Sequence, residues 1–194
     1  MSNLSSTSDE IINCAKQLIV TSGYNGFSYA DIASVVGIRK ASIHHHFPSK
    51  VDLVRTLVVR YREEGEEAVA TVERNIPDAL DILKAYAGHW ANCIEDRSRP
   101  FCVCGLLAGE LPALPVEVAT EVTAFFRFLS TWVTSIMEKG AAQGTLNLTD
   151  SPEIEAEAFI ACIYGAMLSA RAYGRPEIFA AILAPTLLRL APKR

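Results

Sequence analysis

The chain has 194 residues, half of them apolar, with a formal net charge of −4. That length supports one sizeable core or two small ones, and no apolar run reaches the roughly 18 residues that a membrane span needs. The opening MSNLSSTSDE has neither the basic nor the apolar stretch of a signal peptide, so a cytoplasmic chain is expected. Five scattered cysteines (Cys14, Cys93, Cys102, Cys104 and Cys162) fit a reducing compartment rather than a disulfide framework.

Residues 1–8 are rich in Ser, Thr and Asn and predict a frayed start. Ser8 or Asp9 then caps a helix to about Ser22, with Ile11, Ile12, Ala15, Leu18 and Ile19 as its buried stripe. Gly23 stops it, and Phe27 is expected in the core. Ser28 has the hydroxyl of a good N-cap, and Asp31 can reach back to it as a capping box. Ile32, Ala33, Val35 and Val36 follow at helical spacing, and Gly37 falls where a chain leaving a helix needs positive φ. A second short helix starts at about Arg39 or Lys40, turns Ile43 and Phe47 inward, and is broken by Pro48. Ser49 caps a third helix from Lys50 or Val51. Two short helices parted by a glycine turn form a helix-turn-helix, whose second helix enters the DNA major groove.

The outward side of that second helix carries Arg39, Lys40, Ser42, His44, His45 and His46. Arg and Lys reach phosphates or guanine edges, and Ser and His donate to either. Consecutive helical residues point about 100° apart, so the three histidines cannot share one metal ion. Histidine gains charge near neutrality, which predicts a weak pH dependence of DNA binding. Residues 1–62 hold seven Lys/Arg against four Asp/Glu, a balance of +3, leaving −7 on the remainder. A basic module on an acidic body suits a small DNA-binding head.

The run DIASVVGIRKASIHHHFPSKVDLV resembles the N-terminal DNA-binding domain of the TetR family of bacterial repressors, and the likeness covers residues 9–62. It implies Lys40, Ser42, His44, His45 and His46 on the recognition helix, and Ser28, Tyr29 and Lys50 as backbone-phosphate contacts. The chain departs from the family pattern at His44 and His45, where an aromatic residue is usual.

From about Val51 a long helix runs through Leu53, Val54, Leu57, Val58 and Tyr61 into the acidic EEGEE of residues 63–67, so one helix leaves the head and enters the body. Beyond Pro77 the pattern is helical throughout. Asp78 to about Asp96 carries Leu80, Leu83, Ala87, Trp90 and Ile94; Arg97–Pro100 is a loop; Cys104–Leu111 is a short helix stopped by Pro112 and Pro115. Val116 to about Gln143 is long and apolar, with Val118, Val122, Phe125, Phe126, Leu129, Trp132, Val133 and Ile136, and Gly144 ends it. Pro152 opens a helix to about Tyr173, and Pro176 opens the last, to about Leu190. These two are apolar on more than one side, and AFIACIYGAMLSA is dense in small residues. Such helices need burial all round, which a symmetric dimer supplies. The family resemblance implies the same four-helix seam.

No phosphate loop, G-x-S-x-G or HExxH is present, so neither an enzyme nor a cofactor or metal is expected. Cys102 and Cys104 stand at the start of a short helix near Arg97 and Arg99, where a helix N-terminus and cations lower a thiol's pKa. Free cysteine is also a small buried hydrophobe, and a lone C-x-C is a weak metal signal. The segment from Cys102 to Glu110, followed by LSARAY, resembles the NemR/AcuR-type branch, which implies a sensor cysteine at Cys102; Arg171 replaces that pattern's lysine. His89 beside Trp90 is expected in the core or lining a pocket, and Cys14, Cys93 and Cys162 in the core.

Together these readings predict an all-α chain with a helix-turn-helix DNA-binding domain at residues 1–50 and a ligand-binding and dimerisation domain at 51–194. The expected function is a repressor that binds a palindromic operator in double-stranded DNA as a homodimer. A small-molecule effector, with an electrophile or unsaturated carbonyl compound as one candidate class, would release it near Cys102, Cys104, His89, Trp90, Phe126 and Arg171. The alternatives are a regulator with inert cysteines and a reversible apolar or acidic ligand, an activator, or a helical enzyme on the same body fold.

Overall fold

The computed structural model describes residues 6–97 and 101–192; residues 1–5, Arg99 and most of the Arg97–Pro100 loop lie outside it. Among the described residues there is no strand. Nine α-helices follow one another: α1 (Thr7–Ser22), α2 (Tyr29–Val36), α3 (Lys40–His46), α4 (Lys50–Asn75), α5 (Ala79–Glu95), α6 (Val103–Gly109), α7 (Val116–Gln143), α8 (Pro152–Tyr173) and α9 (Glu177–Leu190). The fold class is the all-α one that the periodicity predicts.

The helices gather into two compact units, and α4 and α7 each contribute to both. The first takes in the described residues up to Glu63 together with Cys102–Phe125. Its α1 packs on α2 and α6, and α2 on α3. Ile11, Ile19, Ile32, Ile43, Leu53, Leu57 and Leu107 are almost wholly buried there. The second comprises Glu64–Phe101 with Phe126 onward, in which α9 packs on α5 and α8. Its centre is Ile82, Leu83, Ile136, Phe159 and Phe179.

Local chemistry starts and stops the elements. Ser28 and Asp31 form the expected capping box, Gly37 adopts φ 76° and ψ 27°, and Ser49 accepts from the Asp52 N–H. Asp78 and Ser151 cap α5 and α8 by the same device, since a side-chain oxygen satisfies an otherwise unpaired first-turn donor.

Three details differ from expectation. The cap of α1 is Ser6, not Ser8 or Asp9, because Asp9 is the residue that reaches back to Ser6 in the capping box. Val35 is 66% exposed: α2 has only two turns and buries the stripe of Tyr29 and Ile32. The short helix after Cys102 runs Val103–Gly109 and is followed by a 3₁₀ turn at Leu111–Ala113. Pro112 lacks an N–H and disfavours α geometry at Leu111. As expected, α9 reaches Leu190; it continues through Pro185, anchored on either side by buried Phe179, Leu183 and Leu190.

Candidate nucleic-acid interface

The helix-turn-helix is held from behind. Ile43 is fully buried and Phe47 nearly so, which fixes the inner face of α3. Arg39, Lys40, Ser42, His44, His45 and His46 are then all exposed on the same short element. The structure brings these six together as one cationic, donor-rich surface. Gly37 donates to the Ala33 carbonyl at 3.0 Å and Ile38 to the same oxygen at 3.2 Å, which sets the angle between α2 and α3. His44 places Nδ1 3.2 Å from the Pro48 carbonyl, which requires the proton on Nδ1, and its ring meets Tyr29 edge-on at 4.8 Å. A neutral His44 therefore offers Nε2 as an acceptor, and its imidazolium offers a second donor.

Two of the three residues expected to touch phosphate also brace the head. Tyr29 is buried and its hydroxyl donates to the Phe47 carbonyl at 2.9 Å, tying α2 to the end of α3. Burial first, then the Asp52 and Tyr24 charges, pushes that phenol up to about 12. Lys50 donates to the Phe27 carbonyl and lies over the rings of Phe27 (4.0 Å) and Tyr24 (4.8 Å). Burial lowers its pKa from the ordinary lysine value. Ser28 stays exposed while capping α2, and its hydrogen bonds are the largest cause of the lowered Asp31 pKa. Phe27, Ser28, Tyr29, Ala30, Lys40, His44 and Lys50 line an open recess of about 380 Å³ at the start of α2. An anionic oxygen there would meet two ammonium groups, a hydroxyl and an imidazole.

The six candidate effector residues divide between the units. Cys102 and Cys104 belong to the first and are fully buried. The Tyr61 hydroxyl donates to the Cys102 sulfur at 3.5 Å, and the Cys104 thiol is in hydrogen-bonding contact with that of Cys102. The expected lowering of thiol pKa fails for Cys104. Its thiol is pushed well above the ordinary value by burial and by contact with Cys102, while the Lys16 charge opposes only weakly. Desolvation of a thiolate outweighs the position at a helix start. At the far end of α6, Glu110 accepts from the Tyr24 N–H at 2.9 Å. Its Oε1 would stand 2.1 Å from a Cβ at Gly23, where φ is +75°, so only glycine lets that carboxylate close on the end of α1.

In the second unit His89 is exposed rather than in the core, with its ring edge-on to Trp90 at 5.7 Å and Nε2 3.7 Å from the Cys93 sulfur. Trp90 is buried and its indole N–H has no partner among the described residues. Phe126 is half-buried and tilted on Tyr164 at 5.2 Å, and Arg171 is exposed over the Phe101 ring at 5.5 Å. Cys14 and Cys93 are buried as expected, but Cys162 is half-buried, 3.3 Å from the Thr186 hydroxyl. Sequence reasoning missed Tyr61 and Lys16 as neighbours of the thiols, because contacts across such separations leave no local signal.

Residues 11–57 match the model of bacterial regulatory proteins of the tetR family, and residues 79–184 match the tetracyclin repressor-like C-terminal domain. The chain belongs to the tetR family. This tetR-family chain is therefore a DNA-binding transcription regulator with α2 and α3 as its helix-turn-helix. It is similar to the crystal structure of a TetR-family transcriptional regulator from Agrobacterium tumefaciens, at 55% identity and TM-score 0.93, over 95% of this chain and 97% of that one. It is 25% identical to the negative transcriptional regulator IcaR of the Staphylococcus aureus biofilm operon icaADBC over 127 residues, 61% of this chain and 68% of IcaR. The likeness to the transcriptional repressor BepR of Brucella suis is 29% over 79 residues, which spans 40% of this chain and only 38% of BepR. No helix among the described residues is long and apolar enough to cross a membrane.

Proposed function

We propose that this protein is a cytoplasmic repressor that binds a palindromic operator as a homodimer and releases it when a small-molecule effector occupies the helical body. One observation carries the reading: Arg39, Lys40, Ser42, His44, His45 and His46 are exposed on a helix whose opposite face is locked by Ile43 and Phe47. Such a helix presents donors to base edges and phosphates without losing its own packing. The recess lined by Lys40, His44 and Lys50 is the proposed seat of a backbone phosphate. The names of BepR and IcaR support repression over activation.

The dimer is supported by the outer face of α8 and α9. Ile154, Leu168, Ile182 and Leu188 are exposed there, interleaved on α8 with exposed Ala158, Ala161 and Gly165. A contiguous apolar stripe with small residues suits close helix approach to a second copy. Symmetric pairing would present two heads to two half-sites. Coupling of about 1–3 kcal/mol suffices for 5- to 150-fold changes in operator affinity, and the continuous α4 is the proposed carrier.

Of the two effector classes, a reversible ligand is favoured by the burial of both Cys102 and Cys104 and by the raised pKa of Cys104. Attack by an electrophile requires an accessible thiolate. The test is a mobility-shift titration with DNA from upstream of the protein's own gene, with and without an unsaturated aldehyde, on the wild type and Cys102→Ser. Specific binding that the aldehyde leaves intact supports the repressor with a reversible ligand. Release that disappears in Cys102→Ser would restore the electrophile reading, and absence of sequence-specific binding to any operator selected from random DNA would overturn the repressor.

A further inference from the structure

The Cys102–Cys104 pair lies at the start of α6, outside the exposed surface of α3, and its surroundings are specific. Two thiols, both fully buried, stand at the start of α6, with Cys104 in hydrogen-bonding contact with Cys102. The Tyr61 hydroxyl donates to the Cys102 sulfur, and the Lys16 ammonium lies 4.6 Å from the centre of the Tyr61 ring while its charge acts on Cys104. A sulfur pair with a hydroxyl donor and a cation beside it is arranged to hold negative charge on sulfur once the protons leave.

From this juxtaposition we propose that Cys102 and Cys104 form a two-coordinate site for a monovalent thiophilic d¹⁰ cation of the Cu(I) class. Thiolates select soft ions of this kind. Zinc is disfavoured, because structural zinc takes four protein ligands and no group of three or more His, Cys, Asp or Glu side chains among the described residues could hold a metal. Binding forms two metal–sulfur bonds, breaks two S–H bonds and releases two protons to solvent, with no change of oxidation state. The product carries one net negative charge, which Lys16 balances and the Tyr61 hydroxyl stabilises at Cys102. The site shares a compact unit with the helix-turn-helix.

The test needs no operator and does not depend on the repressor reading. The reduced full chain is titrated anaerobically with Cu(I), and with Ag(I) as a redox-inert stand-in, while near-ultraviolet thiolate absorption and proton release are recorded. One ion per chain and two protons per ion are expected. The stoichiometric site should persist when Cys14, Cys93 and Cys162 are all replaced by alanine, and vanish in Cys102→Ser and in Cys104→Ala. Because those two variants touch the core, helix content is measured for each, and Lys16→Met and Tyr61→Phe give an independent reading. These two should weaken binding by about 10- to 100-fold, as loss of groups behind metal ligands does. Retention of the site in folded Cys102→Ser or Cys104→Ala, one proton per ion, or unchanged affinity in both Lys16→Met and Tyr61→Phe would overturn the proposal.

Discussion

Glu155 is the buried charged residue whose loss the structure quantifies best. Only 3% exposed, it receives two bonds from Arg189, at 2.6 and 2.9 Å, and two from Thr149, at 2.9 and 2.8 Å. These clasp the start of α8 to the end of α9. The Arg189 hydrogen bonds are the main cause that holds its carboxyl at about 2 instead of 4.5. A pKa depressed in the folded state contributes stability above the unfolded value and loses it as pH falls through the folded one. The window is therefore from about pH 5 down to about pH 2. At 1.36 kcal/mol per pH unit the depression amounts to roughly 3 kcal/mol. Arg189 is 41% exposed, and water competes for it. Allowing for that screening, about 2 kcal/mol is the expected contribution at neutral pH. Glu155→Gln should cost that amount at pH 7, lowering the melting temperature by about 4–8 °C. Urea unfolding followed by far-ultraviolet circular dichroism, at one protein concentration because oligomers gain stability by mass action, reads the difference. The gap between variant and wild type should shrink steadily on acidification. A gap that stays constant from neutral to acidic pH, or none at pH 7, would refute the reasoning.

Three further outcomes are expected. Lys40→Ala should weaken binding to all DNA sequences alike and lower the salt slope by about 1, measured by titration across salt concentrations, and Lys50→Ala should do the same while also lowering thermal stability, because its ammonium lines the proposed phosphate recess and braces Phe27 and Tyr24. Equal salt slopes in wild type and Lys40→Ala would remove Lys40 from the phosphate contacts. Leu168→Glu, which puts a charge on the exposed face of α8, should turn the proposed dimer into a monomer in sedimentation experiments without loss of helix content. A dimer that persists would place the seam elsewhere. Tyr29→Phe removes the bond to the Phe47 carbonyl and leaves that group partly buried, so a loss of about 1 kcal/mol is expected. Unchanged stability would show that water replaces the hydroxyl.

Much of the head was legible because its signals are local. The Ser28–Asp31 box, the Gly37 turn, the Ser49 cap and the inward pair Ile43 and Phe47 each involve residues at most four apart, so propensity and capping chemistry declare them without knowledge of the rest of the chain. The same holds for Asp78 and Pro152, which open helices of the second unit. The exposed surface of α3 followed from helical periodicity once its buried face was known.

Tertiary packing decided the rest, because it chooses among partners that local chemistry leaves equivalent. Tyr29 and Lys50 were expected only as phosphate contacts, yet their polar ends also bond the Phe47 and Phe27 carbonyls. Cys104 was placed by sequence at an activating helix start, but the packed helices over it remove water, and desolvation dominates the titration. Tyr24 with Glu110, Tyr61 with Cys102 and Glu155 with Arg189 are separated by 86, 41 and 34 residues. Each pairing exists because helix packing pays the entropy of closing the intervening loop, a cost that depends on the whole fold and leaves no mark in either local sequence.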